Sequence, residues 1–148
     1  TLSPSFALHA AGSTNLADTG GLALQNLITG GNLDVVATGA GSLVAFDLGS
    51  SFTPQVSALA NAGLRPQIAA LKLSATRNDI VVGLLSGIQF FGAGSAPVAG
   101  ATFTTASNGT NNASRVAAGD IDGDGDDDVV VGAPAANSDD GRRHRRRQ

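Results

Sequence analysis

DIDGDGDDDVVVG, residues 120–132, places six carboxylates within nine residues and follows them at once with three valines. Counted from Asp120, carboxylates fall at loop positions 1, 3, 5 and 9: Asp120, Asp122, Asp124 and Asp128. A chain that wraps around a hard cation presents alternate side chains inward, and calcium takes six to eight oxygens at about 2.3–2.6 Å. Gly125 at position 6 permits the sharp turn, because glycine tolerates positive φ. Position 7, Asp126, is expected to offer its backbone carbonyl, and Asp127 to point to solvent. An ion-free acidic turn would leave these like charges to repel at close range. Magnesium suits the loop less well, since it dehydrates reluctantly and demands strict octahedral geometry. An EF-hand would need a bidentate acid at position 12 and flanking helices. Position 12 is Val131, and three β-branched residues in a row argue for a strand. The loop is therefore expected to join two strands of one sheet.

Working outward, the same pattern occurs upstream. LALQNLITGGNLDVVATG (residues 22–39) and IAALKLSATRNDIVVG (68–83) resemble VAAGDIDGDGDDDVVVG (116–132). Each has a small apolar stretch, a loop, an Asp and a β-branched run. The anchoring residues Asp34, Asp79 and Asp128 are 45 and 49 positions apart. In the first two copies a second strand-like run follows, SLVAF (42–46) and GIQFF (87–91), bounded by the Gly, Ser and Asn residues that mark strand ends. A period of this length with about four short strands per unit indicates all-β propeller blades. Gly12 to Gly21 and Thr104 to Ser114 read as loops, and VSALANAGL (56–64) as a connection between blades. The runs Val35-Val36, Ile80 to Val82 and Val129 to Val131 are expected as inner strands buried on both faces.

The stretch DIDGDGDDDVVVGAP, residues 120–134, resembles the FG-GAP repeat of integrin α-chain propellers and of many bacterial secreted proteins. Phe91-Gly92 stands where that family's FG element precedes Gly132-Ala133-Pro134. The resemblance is strong over about residues 91–141 and weaker over 22–90, where the copies look like degenerate relatives of the VCBS and FG-GAP group. It implies a β-propeller whose calcium loops face away from the ligand-binding surface and stiffen the blade. The expected layout is an opening segment 1–21, degenerate repeats 22–66 and 67–115, an incomplete calcium-binding repeat 116–141 and a basic tail 142–148. Aligned back from Asp34, the first loop offers Asn26, Ile28, Gly30, Gly31 and Asp34. In the second, Leu71, Leu73 and Ala75 take the ligand positions and only Asp79 survives, with Lys72 and Arg77 near enough to replace a cation. One calcium site in three blades is expected, formed by Asp120, Asp122, Asp124, Asp128 and the carbonyl of Asp126.

Composition agrees with strands and turns. Every acidic residue is Asp, and Asp is a poor helix former. Residues 1–141 carry four cations against twelve acids, a balance of −8, while Arg142, Arg143, Arg145, Arg146 and Arg147 make the last residues basic. Cysteine is absent, which excludes a disulfide framework and thiolate metal sites. No apolar run approaches the ~20 residues of a membrane helix. The opening TLSPSFALHA is neither a Met start nor a signal peptide with a charged front. A leader removed earlier, or an excerpt of a longer propeller, is therefore expected. The RRHRRR tail lacks neighbouring aromatics and adjoins an acidic body, so it reads as a solvated end and not as a nucleic-acid contact. The sequons Asn108-Gly109-Thr110 and Asn112-Ala113-Ser114 read as polar loop. His9 and His144 form no cluster, and neither a nucleophile elbow nor a nucleotide-binding glycine loop is present.

The sequence thus points to a non-enzymatic, calcium-binding module of an extracellular or surface protein. It would be structural or adhesive, presenting loops to a protein or glycan partner, with self-association through an exposed sheet edge. The alternative is an accessory propeller segment of a secreted hydrolase whose catalytic domain lies elsewhere.

Overall fold

The structure is a computed structural model that describes residues 20–30, 32–39, 41–47, 54–60, 62–63, 65–74, 77–104 and 113–133. These hold ten strands and no helix, arranged in antiparallel sheets. The first sheet is a meander of β1 (Leu22–Gln25), β2 (Asp34–Gly39), β3 (Ser42–Asp47) and β4 (Pro54–Ala58). The second repeats it with β5 (Ile68–Ser74), β6 (Arg77–Leu84), β7 (Gly87–Gly92) and β8 (Val98–Thr104). The third holds β9 (Arg115–Gly119) and β10 (Asp128–Gly132) among the described residues. The three sheets are consistent with propeller blades of FG-GAP type, the first two with four strands each among the described residues.

The register makes the repeats equivalent residue by residue. Gln25 pairs with Asp34, Leu71 with Asp79 and Gly119 with Asp128. Each Asp therefore lies opposite the first strand of its repeat, at that strand's last residue in the first and third repeats. The first strands also lie nearest one another, β1 against β5 and β5 against β9. They are the edge strands at which the sheets approach one another, and the β-branched runs beside them, β2 and β6, are interior, buried strands as expected. Those runs are the second strands.

Side chains alternate across each strand, so every sheet has two faces. One face of the first sheet, with Ala23, Leu27, Val36, Leu43 and Ala45, packs on Ile68, Ala70, Ile80, Val82 and Phe91 of the second. The opposite face of the second sheet, with Ala69, Leu71, Val81, Ile88 and Phe90, packs on Val116, Ala118, Val129 and Val131 of the third. Near-continuous apolar sequence in β6 follows from this. Ile80 and Val82 serve one interface while Val81 serves the other, and all three are fully buried. Burying such a side chain contributes about 1.5–3 kcal/mol.

Val130, expected to be buried, is 53% exposed. β10 is covered on one face only, so Val129 and Val131 are half-buried and Val130 looks outward. VSALANAGL also differs from expectation, because Val56, Ser57 and Ala58 finish β4 and the connection begins at Leu59. Strands β4 and β8 continue each meander outward. Phe103 of β8 meets Phe90 of β7 edge to face, with ring centroids 5.8 Å apart. Most of the loop assigned to residues 104–114, the opening segment and the basic tail fall outside the described residues.

The chain enters the third sheet under tight constraint. Ser114 N donates to Leu84 O at 2.8 Å, and Gly83 N donates to Gln67 O at 2.8 Å. A Cβ on Gly83 would collide with the carbonyl oxygen of Ser114, so glycine is required where these backbones cross.

Candidate metal centre

The acidic loop hangs between β9 and β10, exposed from Asp120 to Asp126. Its turns follow from two glycines. Gly123 has φ +83° and Gly125 φ +94°, values that L side chains rarely adopt. Gly125 is the turn residue read from position 6. Gly123 was missed, although glycine at every second place between acids is itself a signal for successive reversals.

The carboxylates organise the loop through backbone N–H groups. Asp120 accepts from Gly123 N through Oδ1 at 2.7 Å and from Gly125 N through Oδ2 at 3.0 Å. Asp122 Oδ1 accepts from Asp124 N at 3.2 Å, and Asp124 Oδ1 from Asp126 N at 2.9 Å. Asp128 Oδ2 accepts from Ile121 N at 3.1 Å and ties the two ends together.

Asp120, Asp122 and Asp124 each place one carboxylate oxygen so that all three lie within 4.8 Å of one another. Two oxygens each about 2.4 Å from one cation can be at most about 4.8 Å apart. The donor set, three exposed hard anions, fits a hard divalent cation and could hold one. Asp126 and Asp128 stand outside this group of three.

Asp127 does not point to solvent. Its N–H donates to Lys72 O at 2.8 Å, and its Oδ2 accepts from Lys72 N at 2.7 Å. The loop is therefore bonded at two points to β5 of the preceding sheet. The tertiary neighbour supplies these partners, so spacing within the loop could not reveal them.

The other two loops diverge from this arrangement. In the first, Asp34 is fully buried and its Oδ2 accepts from Leu27 N at 2.7 Å and Ile28 N at 2.6 Å. Ile28, at the place of Asp122, is buried, and Gly30 stands where Asp124 does. The loop is pinned to the second repeat by Thr29 N donating to Gly94 O and Gly94 N to Leu27 O. In the second repeat the strands continue past Asp79, Lys72 pairing with Asn78 and Ser74 with Arg77, with a bulge between Lys72 and Ser74. This shifts the equivalence by one residue, so that Lys72, not Leu71, occupies the place of Asp120. Arg77 grips the buried Asp79 with Nη2 to Oδ2 at 2.7 Å and Nε to Oδ1 at 3.0 Å. These bonds and the Asp79 charge hold the Arg77 proton more firmly than usual. A guanidinium thus sits beside the anchoring Asp of this repeat.

Residues 112–144 match the family model of the FG-GAP repeat. The chain carries an FG-GAP repeat. The match covers β9, the acidic loop and β10, and the FG-GAP repeat is the unit of integrin-like β-propellers. The sheets β1–β4 and β5–β8 share its strand register but lie outside the matched residues. No curated protein and no solved structure matches the chain. No helix among the described residues is long and apolar enough to cross a membrane.

Proposed function

We propose that this chain is a calcium-stabilised FG-GAP module of an extracellular or surface protein. It is non-enzymatic and acts structurally or in adhesion, presenting loops from stacked sheets to a protein or glycan partner. The observation that carries this reading is the convergence of Asp120, Asp122 and Asp124 within a matched FG-GAP repeat. The carbonyl of Asp126 and the carboxylate of Asp128 complete the ligand set. The ion neutralises the loop and fixes the turn that launches β10. Through Asp127 and Lys72 this order extends to the second sheet.

A ligand that binds only the folded state stabilises it by mass action. With a dissociation constant of about 10⁻⁴–10⁻³ M, typical of extracellular modules, about 10 mM calcium adds roughly 1.4–2.7 kcal/mol. Thermal melts in calcium and in chelator test this. A rise of several degrees in calcium, lost on Asp124→Ala, supports the reading. Identical melts in both conditions would refute it.

A further inference from the structure

We propose that this chain associates head to tail with a second copy of itself, the outward face of the third sheet docking on the outward face of the first. Between consecutive repeats the same two faces meet twice within the chain. The face bearing Ala23, Leu27 and Val36 covers the second sheet, and its counterpart bearing Ala69 and Val81 covers the third. By register, the same face of the third repeat bears Ala117 and Val130, with Ile121 at the place of Leu27. Leu27 and Val36 are fully buried, whereas Ile121 is 67% and Val130 53% exposed.

The complementary half of this interface is bare at the other end. In the third repeat Val116, Ala118 and Asp127 look back toward the second sheet. Their counterparts in the first repeat are Leu22, Leu24 and Leu33, exposed by 69%, 58% and 55%. Each described end therefore carries one half of an interface that this chain already forms twice. Apolar patches of this kind mark interaction surfaces. A contact between two different faces is heterologous and does not need two-fold symmetry.

The experiment is sedimentation of the whole chain with Val130→Asp and Leu24→Asp, alone and mixed, at ~100 µM, where even weak interfaces are occupied. Both positions are exposed, and circular dichroism confirms that each variant retains its strands. The unmodified chain is expected to run at twice the monomer mass or more. Each variant alone is expected to be monomeric, because each lacks one half of the contact. An equimolar mixture is expected to form a 1:1 dimer and nothing larger, since it joins the intact back face of Val130→Asp to the intact front face of Leu24→Asp. A monomeric unmodified chain would overturn the proposal. So would a mixture that stays monomeric, or a Leu24→Asp variant that still self-associates, as pairing through the β10 edge would allow.

Discussion

Asp127 and Lys72 exchange two hydrogen bonds across the boundary between the second and third sheets, backbone to backbone at 2.8 Å and backbone to carboxylate at 2.7 Å. The middle residue of three consecutive aspartates is thus an interface residue, while Asp126 before it is exposed and Asp128 after it closes the loop. The acidic loop divides its labour. Asp120, Asp122 and Asp124 converge on one another, Asp128 ties the ends of the loop together, and Asp127 joins the loop to its neighbour.

Asp127→Ala is expected to lower stability by about 1–2 kcal/mol, the scale of a charge-assisted hydrogen bond at a partly exposed site. Calcium affinity should stay within a few-fold of the parent, because Asp127 lies outside the proposed ligand set and is bonded to Lys72 instead. Chemical denaturation and calcium titration of the same variant check the two halves of this statement separately.

Asp34→Ala is expected to cost about 2–4 kcal/mol, because it strips the acceptor from the buried N–H groups of Leu27 and Ile28. Asp34→Asn keeps an acceptor oxygen and should cost clearly less. Equal losses in urea melts would contradict this account of the first loop.

Gly83→Ala should be severe for so small a change. The added Cβ meets the backbone of Ser114, which has no flexible end to move aside. Overpacking of this kind costs typically about 1–3 kcal/mol. Gly119→Ala has open space around its Cβ and serves as the control. A melt of Gly83→Ala indistinguishable from the control would show that the crossing of these backbones relaxes freely.

Much of this architecture was legible in the residues. The β-branched runs after Asp34, Asp79 and Asp128 are strands, as are SLVAF and GIQFF, because branched side chains suit a pleated, packed surface. The first strands were visible only as small apolar stretches. LALQ, IAALKLS and RVAAG are rich in Ala, which is depleted in strands, and they owe their conformation to the neighbouring inner strands. β8, VAGATFT, is exposed along its whole length and shows no alternation to read. The one-residue shift at Lys72 accompanies a bulge between Lys72 and Ser74, which ungapped spacing cannot reveal. Among the site residues, the alternation of Asp120, Asp122 and Asp124 was readable because a local wrap depends only on sequence spacing.

Whether the loop binds calcium is tested most directly by titration calorimetry of the chelator-treated protein, beside Asp124→Ala. One site per chain is expected, with a dissociation constant of about 10⁻⁴–10⁻³ M, and its heat should vanish in the variant. No calcium heat in the parent protein, or an undiminished site in Asp124→Ala, would contradict the account.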